Sequence, residues 1–127
     1  MFSAMQDRNK ATVRAFYAAI PAAAFGELLD PAFATGFAAT IADLRTAFPD
    51  LRYTVDELVA EGDRVAARFS WTGTSTAPFR GNPATGGVVT SRGMAIFELR
   101  DGRITGAALE TDRLGFLEQL GVIAPRR

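Results

Sequence analysis

Apolar positions recur along this chain with two different periods. In the first third the period is helical. Val13, Phe16, Tyr17 and Ile20 fall at i, i+3, i+4 and i+7, one face of a helix, and Asp7 or Asn9 is placed to cap its start. Pro21 ends that helix or sits in the first turn of the next. Phe25, Leu28 and Leu29 form the apolar face of a short second helix, which Asp30-Pro31 breaks. Phe37, Ile41, Leu44 and Phe48 predict a third helix that starts near Thr35 or Gly36 and stops at Pro49.

After Pro49 the period drops to two. Leu51, Tyr53 and Val55 alternate as in a half-buried strand. Glu61-Gly62-Asp63 reads as a turn, and Val65, Ala67, Phe69 and Trp71 alternate with Arg64, Ala66, Arg68 and Ser70. A loop rich in Gly, Pro and Asn covers Thr76 to Gly87. A long strand runs from about Val88 to Leu99, Asp101-Gly102 signals a hairpin, and a last strand runs from about Arg103 to Thr111. Leu114, Leu117 and Leu120 predict a closing helix ended by Gly121. Helices followed by an antiparallel meander predict an α+β fold. No repeat or linker divides the chain, so residues 1–127 are expected to form a single domain. The strand before Asp101 is apolar on both faces, with Ala95, Phe97 and Leu99 on one and Met94 and Ile96 on the other. A second subunit covering the outer face, in a homodimer, is the expected reason.

Composition narrows the chemistry. Of 127 residues, 48% are hydrophobic and 22% charged, which describes a globular chain. Fourteen basic and 14 acidic residues balance, so no cationic excess invites nucleic acid. The opening MFSAMQDRNK lacks the charged-then-apolar order of a secretion signal. No apolar run approaches the roughly 18–20 residues of a membrane span, so a cytoplasmic protein without membrane contact is expected. With no His and no Cys, a Ser-His-Asp triad, a Cys-His pair and a His- or Cys-ligated metal site are excluded. Proton chemistry then falls to Asp, Glu or Tyr, with Arg as fixed positive charge.

Three stretches resemble the SnoaL-like polyketide cyclase family: NKATVRAFYAAI (Asn9 to Ile20), AFPDLRYTVDELVAEGDRVAARFSWTGT (Ala47 to Thr74) and GMAIFELRDGRITGAALETDRLGFLEQLGVI (Gly93 to Ile123). The AFPDLR segment and the D-x-L-G-x-L-x-Q-L-G ending at Gly121 are the more specific parts. The resemblance implies a cone-like, strongly curved antiparallel sheet wrapped by N-terminal helices, with an internal pocket, and commonly a dimer. It implies a cofactor-free intramolecular aldol closure in which one carboxylate at the end of the last strand is the acid/base; the matching position is Asp112. In one place the chain departs from the pattern. Relatives carry a longer segment after the second helix, often with a histidine facing the pocket, whereas Pro31 to Phe37 here runs almost straight into the third helix. A pocket short of one wall element and one polar contact is therefore expected.

Asp112 has two readings, a pocket base with its pKa raised by desolvation or an N-cap for the closing helix. Arg92 is beside Met94 and Ile96 by strand parity, and it serves either as an oxyanion or carboxylate partner in the pocket or as an interfacial arginine. Tyr17, Phe48, Trp71, Phe79 and Met94 are candidate pocket walls, each with core packing as its alternative. Glu110, one strand repeat from Asp112, and Asn82 in the loop are lesser candidates. The expected ligand is a small apolar or carbonyl-rich organic molecule. Three functions fit: a cofactor-independent cyclase or isomerase, a non-catalytic ligand-binding or dimerisation module, and an epoxide hydrolase. The last resembles an Arg-x-Asp pattern on one strand, and Arg92-Gly93-Met94 carries methionine in it.

Overall fold

The computed structural model describes residues 2–124; residues 1 and 125–127 of the expected domain lie outside that range. Helix α1 spans Phe2–Ala19, α2 Pro31–Ala47 and α3 Arg113–Gln119, and strands β1 Arg52–Glu61, β2 Arg64–Thr74, β3 Val88–Arg100 and β4 Arg103–Thr111 form one antiparallel sheet in the order β1-β2-β3-β4. The architecture is α+β, with three helices against a curved, open four-stranded sheet. No described helix is long and apolar enough to cross a membrane.

Helix boundaries differ from the sequence expectation in three places. α1 begins well before Asp7 and Asn9, and Asn9 is buried inside it rather than capping it. The apolar residues Phe25, Leu28 and Leu29 do not form an α-helix. Two 3-10 turns, Ile20–Ala22 and Gly26–Leu28, carry the chain across instead, separated by Ala23 at φ 51° and followed by an extended Leu29. α2 starts at Pro31 rather than near Thr35. The Asp30 carboxylate accepts from the Ala32 N–H at 3.0 Å, and Pro31 loses nothing in the first turn, where its missing N–H has no intrahelical partner. Asp30-Pro31 is thus a start signal as well as a break.

Alternation in the strands sorts residues onto an inner face, toward the helices, and an outer one. Inner residues pair across the sheet in rows: Tyr53, Trp71 and Ser91; then Val55, Phe69, Gly93 and Thr111; then Leu58, Ala67, Ala95 and Leu109. α1 covers the far part of this face, with Phe16 and Tyr17 edge-on to Phe97 at 5.6 and 5.8 Å between centroids. The outer face carries Arg64, Arg68 and Glu98 together with Met94 and Ile96. Arg68 pairs with Glu57 at 3.4 Å and Arg64 with Glu98 at 3.3 Å. These pairs are exposed and contribute little stability.

The AFPDLR segment joins helix to sheet. Phe48 is fully buried, and its Cβ lies where a side chain on Gly73 would have to go, 2.8 Å from the position of an added Cβ. Two residues on, the Asp50 carboxylate accepts from both the backbone N–H (2.6 Å) and the hydroxyl (2.7 Å) of Thr74. These hydrogen bonds favour the charged form and hold the Asp50 carboxyl below its usual range. β1 therefore starts in register with the end of β2. Gly73→Ala should cost about 1–3 kcal/mol of stability as an overpacked site, read as a lower urea midpoint with unchanged slope. Phe48→Ala should cost about 3–5 kcal/mol through the cavity it leaves.

Candidate functional site

Between the sheet and the two later helices lies a chamber of about 350 Å³. Its floor is the inner sheet face at Tyr53, Phe69, Trp71, Ser91, Leu109 and Thr111. Its opposite wall is α2, which presents Phe37, Thr40, Ile41 and Leu44 at i, i+3, i+4 and i+7. α3 closes one side with Arg113, Phe116 and Leu117, again on one helical face, and the 75–87 loop supplies Phe79, Arg80 and Asn82. The lining is chiefly apolar, with a few neutral polar groups and the two arginines, as small-molecule sites are.

The loop is held in a defined shape. Buried Ser75 accepts the Thr85 N–H on its hydroxyl at 3.0 Å, and its backbone exchanges hydrogen bonds with Gly86 and Gly87. Phe79 and Asn82 exchange both backbone hydrogen bonds at 2.9 Å across a two-residue turn, with Arg80 at φ 47° and Gly81 at φ 85°. That is the left-handed geometry of a type I′ hairpin. It projects Phe79 inward, 5.6 Å edge-on to Phe116, and leaves Arg80 over the Phe79 ring at 5.1 Å.

α3 is set by the D-x-L-G-x-L-x-Q-L-G motif. Asp112 is its N-cap: one carboxylate oxygen accepts the Gly115 N–H at 2.9 Å, and a Cβ added at Gly115 would push that carboxylate aside. The Asp112 N–H donates to the Arg92 carbonyl at 2.9 Å, where β4 has already ended. Further along the same edge of β3, the Gln119 amide accepts from the Thr90 N–H (2.8 Å) and donates to the Thr90 carbonyl (2.7 Å), much as a neighbouring strand would. Gly121 at φ 79° follows the helix.

Of the residues singled out from sequence, Trp71, Phe79 and Asn82 line the chamber. Phe48 is fully buried behind them, 5.1 Å from Trp71 and 6.1 Å from Phe79. Tyr17 is buried one layer further in, 5.5 Å from Tyr53 and 5.1 Å from Phe69. Asp112 is exposed and lies between Thr111 and Arg113, both of which line the chamber. Arg92 and Met94 alternate with the inward Ser91 and Gly93, so the sheet separates them from the chamber. They border a groove on the outer face with Asp56, Arg68 and Glu110. Asp112, engaged as the cap of α3, lines neither this groove nor the chamber, so the structure does not bring its side chain into one site with Arg92 or Glu110. Tyr53, Phe69, Arg80, Arg113 and Phe116 were not singled out as wall residues. Tyr53 and Phe69 share the alternation of Trp71, which was the available signal; the α3 residues share the helical face of Leu117.

Burial raises the Tyr53 phenol well above its ordinary 10.0. Tyr17 is raised likewise, first by burial and then by its neighbour Tyr53. Both remain neutral hydrogen-bond donors at any physiological pH.

The family model of the SnoaL-like polyketide cyclases matches residues 11–120. Among solved structures, AclR, a candidate hydroxylase from Streptomyces galilaeus, superposes with a TM-score of 0.87 at 22% identity, covering 96% of this chain and 86% of AclR. IdmH, a candidate polyketide cyclase from Streptomyces antibioticus, superposes with a TM-score of 0.80 at 26% identity, covering 89% and 98%. TsrD from Streptomyces laurentii gives 0.79 at 28% identity, covering 93% and 98%. No functionally curated protein matches the chain.

The two tyrosines give a direct check, since the chain has no others. A phenol raised in the folded state stabilises the fold below its unfolded pKa, and this contribution is lost as pH rises through the folded value. Phenolate absorbance near 295 nm should therefore stay low through about pH 10 and rise together with loss of tertiary structure. Tyr53→Phe should remove half of the rise.

Proposed function

We propose, since this chain belongs to the SnoaL-like polyketide cyclase family, that it catalyses a cofactor-independent cyclisation or isomerisation of a small carbonyl-rich molecule held in the chamber. The observation that carries this reading is the position of Asp112 between two chamber-lining residues, Thr111 and Arg113, beside a largely apolar cavity of about 350 Å³. One Asp112 oxygen is engaged by Gly115. The other accepts no hydrogen bond among the described residues and is free to take a proton from a carbon flanked by carbonyls. The resulting enolate carbon attacks a second carbonyl of the same molecule, and the alkoxide so formed takes the proton back. The ring closes with no change of oxidation state. The Tyr53 and Ser91 hydroxyls stand on the chamber floor as neutral donors for the developing negative charge. The aromatic walls fold the substrate so that the reacting carbons meet.

A non-catalytic binding role is the second reading. It is favoured by the absence of any carboxylate from the chamber lining itself and by the engagement of Asp112 as a cap. Asn caps a helix about as well as Asp, so one substitution separates the two. With Asp112→Asn, melting temperature should be nearly unchanged, while acceleration of deuterium exchange at C1 of 2-tetralone in D2O should fall to background. Exchange at the wild-type rate in that variant would leave the binding role. Asp112→Ala should additionally cost about 1 kcal/mol through the lost cap.

The outer sheet face supports a homodimer. Met94 and Ile96 are 58% and 49% exposed there, beside residues of both charge signs. Light scattering should give twice the mass of one chain, and Ile96→Glu should halve it without unfolding the protein.

A further inference from the structure

The charged residues that line the chamber are all of one sign. Besides its apolar wall and neutral polar groups, the lining contains Arg80 and Arg113 and, among the described residues, no Asp or Glu. The chain as a whole is neutral, with 14 charges of each sign, so overall charge does not account for them. Both arginines belong to one stretch of rim. Arg80 lies over Phe79, Phe79 packs edge-on against Phe116, and Phe116 is one helical turn beyond Arg113. Arg80 is partly neutralised by Asp43 at 3.4 Å. Among the described residues no carboxylate lies within 4.0 Å of the Arg113 guanidinium. Arg80 also occupies φ 47°, a backbone region that a long side chain seldom adopts.

We infer that the ligand of this chamber is an amphipathic acid: an apolar ring system or folded chain fills the interior, and a free carboxylate is held at the rim by Arg113, with Arg80 assisting. A guanidinium offers paired donors that match a carboxylate. This deepens the proposed function, resting on the chamber as the binding site, and selects free acids over the corresponding esters and amides.

The probes are 2-naphthoate and its methyl ester, followed by calorimetry. The acid should bind the wild-type protein about tenfold more tightly or better, the effect of one retained charge-assisted contact. Arg113→Gln should bring the two affinities close together by weakening the acid alone, and Arg80→Gln should do so less, because Asp43 already shares that charge. Added salt should weaken the acid and spare the ester. Equal binding of acid and ester by the wild type, or a preference that survives the Arg80→Gln/Arg113→Gln double variant, overturns the inference and leaves the chamber as a site for neutral ligands. Binding of neither probe overturns both the inference and the chamber as the binding site. Exchange catalysis lost in Asp112→Asn with acid and ester bound equally would sink only the carboxylate preference.

Discussion

Phe48 ends α2 with its side chain set against the backbone of Gly73, and much of the molecule is organised around that contact. The ring has Trp71, Phe79 and Phe116 within 5.1 to 6.2 Å, so one residue touches β2, the 75–87 loop and α3 together. Interiors are close-packed, and a displaced aromatic ring cannot be absorbed locally. A shift at Gly73 would move the floor of the chamber, its loop wall and its closing helix at once. The Asp50 carboxylate, two residues on, fixes the same junction through Thr74. An apolar wedge and a polar clamp thus set where α2 stands relative to the sheet, and the gap they leave is the chamber.

The order of elements was legible because each segment keeps one period throughout: helical up to Phe48, then two until Thr111. What periodicity could not supply was termination. Asn9 has the chemistry of a cap yet is buried inside α1, and Asp30-Pro31 has the chemistry of a break yet starts α2. Each such residue stabilises either end of a helix boundary, and tertiary packing decides which. The loop read from its Gly, Pro and Asn content is shaped by Ser75 and by a tight turn at Arg80-Gly81.

The site was half legible for a related reason. Strand parity correctly groups Arg92 with Met94 and Ile96, but β3 is apolar on both sides, so alternation alone does not say which side faces the helices. The register of β2 decides it. Trp71 is opposite Ser91, and Phe69 is opposite Gly93, where an added Cβ would meet the Phe69 ring. Arg113 passed unnoticed beside Asp112 because a residue in a helix's first turn shows its direction only once the helix is docked.

The docking of α3 has a consequence for the fate of the protein in concentrated solution. β4 ends opposite Gly93, so β3 runs on past its neighbour with one edge unpaired by any strand. The Asp112 backbone N–H occupies the carbonyl of Arg92, and the Gln119 amide both backbone groups of Thr90, along that edge. Bare strand edges recruit other chains. The helix that walls the chamber is therefore also a guard against edge-to-edge aggregation, and lifting it to admit a ligand would uncover a sticky template. A ligand that passed over the rim, with α3 left in place, would leave the edge covered.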